Sequence, residues 1–239
     1  RMNNVAVDGA VAKLQQVEVP AAPAGKITMP PTVPGDAPEF IQNVTSLLMQ
    51  QKGDDVPVSG MPDDGTWPTA TTRYEKRNIA VEIPEWNKEL CIQCGQCSLV
   101  CPHAAIRIKA FGEDAVASAP EGFQCADAKG KDLVGKKFTV QVAPEDCTGC
   151  GACVEKCPGM ERDKETKQPT GNKAIMMVDQ LPIRDREAAN WDFFLGIPET
   201  DPTLYKRETI KGSQFCQALF EFSGACSGCG ETAYVKLLS

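Results

Sequence analysis

Apolar residues along this chain come in short bursts with a readable period, separated by long polar or proline-rich stretches. Over residues 2–17, Val7, Val11 and Leu14 recur at helical spacing in spite of Gly9, which predicts a helix. From Pro20 to Pro38 the residues are mainly proline, alanine, glycine and threonine, which cannot sustain a helix interior and read as an extended linker. Asp36 then offers an N-cap for a helix over 37–51, with Phe40, Ile41, Val44, Leu47 and Leu48 on one face and Gly53 beyond its end. Residues 54–78 are polar, carry the turn pairs Pro62-Asp63 and Asp64-Gly65, and have Trp67 and Tyr74 as candidate anchors, so they read as a strap.

At Ile79 the period changes to two. IAVEI at 79–83 predicts a strand, followed by Pro84 and a cysteine-rich loop, and Ile106 and Ile108 begin a second strand. The order then repeats: FTVQV at 138–142, Pro144, a second cysteine-rich loop, and KAIMMV at 173–178. Two copies of strand, loop, short helix and strand predict an α+β fold with a pseudo-two-fold repeat. The insertions near 111–137 and 159–172 read as solvent-facing loops or a hairpin, and a loop as long as the first is expected to cover a neighbour or shield a site. REAANWDFF at 186–194 predicts a short helix stopped by Gly196, Pro198 and Pro202, after which FCQALFEF leads into the glycine-rich GACSGCGE.

Charge narrows the function classes. With 32 acidic against 25 basic residues, a formal charge of −7 and no basic stripe, a nucleic-acid surface is disfavoured. No run approaches the roughly 20 apolar residues that cross a bilayer, and the amino end has no basic segment leading into an apolar one and no cleavage site, so no membrane association is expected. Twelve cysteines grouped in CxxC spacings within 239 residues do not fit a small disulfide scaffold; they imply reduced thiols, hence cytoplasm. Helical patterns adjoin both Arg1 and Ser239, so the chain is expected to be part of a longer polypeptide.

The cysteines carry the chemistry. CIQCGQCSLVCP from Cys91 to Pro102 and CTGCGACVEKCP from Cys147 to Pro158 each place three cysteines two residues apart, then a fourth after three more and a proline. This is the ligand run of bacterial ferredoxins, in which the fourth cysteine serves the other cluster. The expected ligand sets are therefore Cys91, Cys94, Cys97 and Cys157 for one [4Fe-4S] cluster and Cys147, Cys150, Cys153 and Cys101 for the other. Structural zinc also uses CxxC, but it needs four ligands at one centre, and the repeated third cysteine and Cys-Pro ending exceed that need. Gly95, Gly149 and Gly151 satisfy the backbone angles of a tight ligand loop and could present amides to sulfur. Pro102 and Pro158 terminate the ligand turns. Cys226 and Cys229 form a third metal-binding candidate. Cys125 and Cys216 have no partner at ligand spacing and read as structural thiols, and His103 as a packed or surface turn residue.

Three stretches go beyond a free ferredoxin: YEKRNIAVEIPEWNKELCIQCGQCSLVCPHAAIR, ANWDFFLGIP and KGSQFCQALFEFSGACSGCGETAYVKLL. Through them the chain resembles, over essentially its whole length, the pyruvate:ferredoxin (flavodoxin) oxidoreductase family of thiamine-diphosphate enzymes. The resemblance implies that residues 1–19 close an upstream coenzyme-A-binding domain and 20–78 are a wrapping linker. It further implies that 79–185 form a ferredoxin-like 2[4Fe-4S] domain and 186–239 begin a thiamine-diphosphate domain. It makes Cys226 and Cys229 two ligands of a third cluster, completed elsewhere, and brings Glu231 to the thiamine diphosphate. The family's Mg-diphosphate motif is not among these residues, and Ala233 stands where many relatives carry proline. The implied partners are ferredoxin or flavodoxin, the other domains of the same polypeptide and a second copy in a homodimer. The rival expectation is a stand-alone polyferredoxin-type carrier.

Overall fold

The structure, a computed structural model, describes residues 2–22, 25, 29–222 and 230–238. Its contacts divide the chain into two units, Arg1–Thr32 and Val33–Ser239. In the first, helix α1 spans Met2–Ala12 and stops short of the expected residue 17. Val5, Val7, Val11 and Leu14 are exposed, and a helix of this length gains most of its stability from packing, so nothing sustains its last turns around a central Gly9.

The second unit begins with a small satellite core. A π-helical turn, Ile41–Thr45, runs into α2, Ser46–Met49. The expected Asp36 cap is not used at its start: the Gln42 side-chain amide donates to Gly35 O and Ala37 O instead. At its end Gln51, not Gly53, takes the left-handed conformation at φ 60°. Ile41 packs with Val33 and Ala37, Phe40 and Tyr74 close over them, and Trp67 meets the Phe40 ring edge-on at 4.9 Å. Both expected anchors of the strap are thus seated.

Three small antiparallel sheets follow. β1 (Glu82–Trp86) pairs with β7 (Ile175–Asp179), from Glu82↔Asp179 to Trp86↔Ile175. β2 (Ile106–Phe111) pairs with β4 (Lys137–Val142), and the short β3 (Ala126–Asp127) joins the other edge of β4. β5 (Met160–Arg162) and β6 (Pro169–Lys173) form the hairpin of the second insertion. The strand expected at 79–83 is displaced to 82–86. Of the alternating Ile79, Val81 and Ile83, only Ile83 is buried, and inward packing continues through Pro84 to Trp86. A proline is tolerated there because a two-stranded ribbon leaves each strand an open edge.

Ile106, Ile108, Phe138, Val140, Val142, Ile175 and Trp86 form one core together with Cys97, Cys153 and Phe215. Helices α3 (Gln96–Val100) and α4 (Ala152–Glu155) carry these cysteines. Helix α5 (Arg184–Gly196) packs Trp191 and Phe194 with Ala105, Ala143 and Phe222 in a second core. Its carboxyl end is tied to β2 by the buried Lys109 ammonium, which donates to Phe194 O at 3.1 Å and Ile197 O at 2.6 Å and pairs with Glu199. Helices α6 (Ile210–Ser213) and α7 (Gly230–Leu238) complete the order.

Candidate metal centres

The two ligand loops fold alike. In each, the second and fourth residues after the first cysteine are left-handed: Gln93 and Gly95 at φ 59° and 77°, Gly149 and Gly151 at 69° and 74°. The turn brings an amide onto the first sulfur, with Gln93 N donating to Cys91 Sγ at 3.3 Å and Gly149 N to Cys147 Sγ at 3.4 Å. Gly95 also permits close packing, since a Cβ there would lie 3.1 Å from Lys211 Cα.

Two cavities of similar size lie behind these loops. One is lined by Cys91, Cys94, Cys97 and Cys157 together with the apolar Ile108, Phe138 and Ile175. The other is lined by Cys101, Cys147, Cys150 and Cys153 with Ile106, Val142 and His103. Each takes three cysteines from one run and the fourth from the other. Among the described residues no three Cys, His, Asp or Glu side chains converge on a point as the ligands of one ion. Sulfur donors arranged around a volume with apolar walls fit a polynuclear iron-sulfur group, whose ligands are thiolates spread around a core.

Burial pushes the Cys91 thiol up, countered in part by the Gln93 amide. The Trp86 N–H is buried and meets no acceptor among the described residues. Cys97 is driven well above the ordinary thiol value by burial and by the thiols around it. Burial likewise raises Cys147 and Cys153 to about 12, with neighbouring thiols adding to it. Without metal these groups stay protonated at neutral pH, so a metal group entering either cavity must displace protons.

Cys226 and Cys229 lie outside the described residues. Glu231 is exposed in the first turn of α7. His103 is buried, and its carbonyl accepts from Phe222 N at 2.8 Å. Cys125 is half-buried, whereas Cys216 is exposed, 3.6 Å from the Tyr205 hydroxyl. Lys236 of α7 had no signal in the sequence; its ammonium donates to Ser98 O and Cys101 O, at 2.5 and 3.0 Å, where α3 ends and the crossing cysteine begins.

A 4Fe-4S dicluster domain model matches residues 90–159, which hold both cysteine runs, and a domain of unknown function matches residues 26–80. A relative from Synechocystis sp. is 51% identical across the whole chain, which covers 20% of that protein. The pyruvate-flavodoxin oxidoreductase of Nostoc sp. is 46% identical across the whole chain, over 20% of its own length. For the pyruvate:ferredoxin oxidoreductase of Moorella thermoacetica the values are 47%, the whole chain and 19%. Over its whole length the chain is thus similar to proteins named pyruvate-flavodoxin and pyruvate:ferredoxin oxidoreductases, and it carries a 4Fe-4S dicluster domain. It spans about one fifth of the length of these relatives. Among the described residues no helix is long and apolar enough to cross a membrane.

Each ligand loop is braced by a different distant segment. Gln93, buried and left-handed, donates through Nε2 to Asp127 O at 2.8 Å and accepts at Oε1 from Lys129 N at 2.7 Å. The Lys129 ammonium donates to Cys91 O at 2.7 Å, and Lys211 donates to Lys129 O at the same distance. The long insertion between the halves thus holds the first loop. At the second loop Lys76 pairs with Asp146, the residue before Cys147. Burial raises the Asp146 carboxyl and the ammonium draws it back down. Gln93→Ala removes both side-chain bonds while keeping the backbone conformation. It is expected to destabilise the first loop by about 1–3 kcal/mol, read as faster loss of one cluster's iron to a chelator, with the other cluster unaffected.

Proposed function

We propose that this chain is the electron relay of an enzyme that converts pyruvate and coenzyme A to acetyl-CoA and carbon dioxide. In this reading Cys91, Cys94, Cys97 and Cys157 hold one [4Fe-4S] cluster and Cys101, Cys147, Cys150 and Cys153 a second. Cys226 and Cys229 contribute to a third. Thiamine diphosphate and magnesium serve the full-length protein, with Glu231 approaching the former. The domains divide as 1–19, 20–78, 79–185 and 186–239, a homodimer forms at full length, and electrons leave to ferredoxin or flavodoxin in the cytoplasm. The single observation that supports the relay best is the crosswise lining of the two cavities. The names of the relatives support the reaction, and their greater length weighs against a stand-alone carrier.

The ferredoxin-like domain is proposed to be pseudo-two-fold, a reading supported by the matching left-handed residues of the two loops and by the reciprocal pairing of β1 with β7 and β2 with β4 across the halves. Clusters of this kind supply one-electron transfer at low potential when bound. Around them the chain's own residues perform three tasks. Gln93 N and Gly149 N stabilise charge on Cys91 and Cys147 Sγ. Apolar walls formed by Ile106, Ile108, Phe138 and Val142 keep water from the sulfurs. Lys236 neutralises carbonyl dipoles at the end of α3, fixing the path by which Cys101 crosses.

Anaerobic reconstitution followed by metal analysis tests this reading. About eight iron atoms per chain are expected in stable form, four for each cubane, with any third site labile. Stoichiometric zinc with no iron after the same treatment would defeat it.

A further inference from the structure

The carboxyl end of the domain of unknown function packs directly on the second ligand loop. Lys76 Nζ lies 2.5 Å from Asp146 Oδ2, whose side chain is only 2% exposed, while that of Lys76 is 31% exposed. The same ammonium stands 5.2 Å over the Phe222 ring. Asn78 N donates to Glu145 O at 2.8 Å. The buried Gln180 then joins the two segments, its Nε2 donating to Asn78 Oδ1 at 2.8 Å and Pro144 O at 3.0 Å. Two residues on, the Ala80 side chain and Glu82 O crowd Gly149, where an added Cβ would meet them at 3.4 and 3.1 Å. Residues 76–82 therefore touch positions 145, 146 and 149 of the loop that carries Cys147 and Cys150, and Gln180 links them to position 144.

We propose that this end of the domain of unknown function is a clamp that retains the cluster bound by Cys101, Cys147, Cys150 and Cys153, held in place by its Asn78, Gln180 and Ala80 contacts, with Lys76 compensating the buried Asp146 carboxylate that would otherwise open the loop. The proposal rests on the ligand sets of the proposed function. A ligand loop with two left-handed glycines and few backbone bonds of its own is entropically costly to hold open, and the clamp supplies from outside the restraint that Asp127 and Lys129 supply to the first loop. The exposures set the direction of dependence. Without Lys76, Asp146 is a buried, unpaired carboxylate beside a ligand whose bound group is already anionic. Without the Asp146 charge, the half-exposed Lys76 turns to water at little cost.

The test compares the cluster-loaded protein with Lys76→Met, Asp146→Asn and the double variant. The readout is iron release to a chelator, with the freed thiols alkylated and located by mass spectrometry. Lys76→Met is expected to release the second cluster at least about tenfold faster, labelling Cys101, Cys147, Cys150 and Cys153 first while the first cluster keeps its wild-type rate. Asp146→Asn should have a much smaller effect, and the double variant should behave like Asp146→Asn. The clamp is refuted if Lys76→Met releases both clusters together or neither faster, or if removing the Asp146 charge fails to rescue it. Labelling of a different set of four in the wild type would refute the ligand sets, and the clamp with them. Retention of the first cluster reports that the variants are folded.

Discussion

Cys101→Ser is expected to empty the cavity lined by Cys147, Cys150 and Cys153, leaving the cluster beside its own sequence neighbours Cys91, Cys94 and Cys97 in place. Cys101 sits at the end of α3, and its backbone, held by Lys236, directs the side chain into the second cavity. Cys157 does the reciprocal service for the first. Iron should fall from about eight atoms per chain to about four, and alkylation should then find Cys147, Cys150 and Cys153 reactive. Cys157→Ser should give the mirror result, exposing Cys91, Cys94 and Cys97. Mutual exclusivity of the two labelling patterns is the decisive feature. Were Cys101→Ser to free Cys91, Cys94 and Cys97 instead, each run would close its own cluster and the crossed sets would be wrong.

The sequence readings that match the backbone share a physical property: their meaning is local. A cysteine spacing fixes the reach of sulfurs around one loop, and the left-handed turns of Gly95, Gly149 and Gly151 follow from the same short stretch. The antiparallel strands at Ile106 and Phe138 announced themselves by alternation of apolar and polar residues, although the polar face, with Lys109, Thr139 and Gln141, is buried as well. The first strand misled because Ile79 and Val81 alternate with Ile83 yet face solvent, and pairing with β7 begins only at Glu82. Helix α1 was over-extended because periodicity takes no account of whether a surface exists to cover the face.

The braces were illegible for the opposite reason. Gln93 gave no signal, since a glutamine in a left-handed turn is unremarkable until its amide is seen spanning 34 residues to Asp127 O. Lys76 meets Asp146 across 70 residues, between a polar strap and a loop with no shared pattern. Lys109 looked like the solvent side of a strand, yet its ammonium is buried on the last carbonyls of α5. Long polar side chains acting over such separations leave no period in the sequence. They are also what converts two ligand loops into two sites of defined geometry.

Removing both clusters is expected to unfold most of the region around them. The sheets are too small to stand alone: β1 and β7 form a two-stranded ribbon, and β2, β4 and β3 a sheet with one two-residue edge, whereas ribbons of this size are at best marginal in water. Their inward faces meet across Cys97 and Cys153, so the core is continuous with the two cavities. Stripping iron leaves those cavities without contents against Phe138, Ile108 and Val142, and binding to the folded state alone means that the lost binding energy is lost folding energy. Amide protection in β2, β4 and α5 should drop together, since Lys109 ties α5 to β2. Whatever apo fold survives has thiols raised from 9.0 to about 12 at Cys147 and Cys153. A raised value in the folded state contributes stability that is complete below the ordinary thiol value and lost as pH rises through the raised one. The apo protein should therefore lose residual structure between pH 9 and 12, whereas the loaded protein, its sulfurs already ionised on iron, should show no such loss over that window. Hydrogen exchange on loaded and stripped protein at neutral pH, followed by circular dichroism across the alkaline range, measures both. Unchanged protection of β2 and β4 after complete iron removal would mean that side-chain burial holds this fold without its clusters.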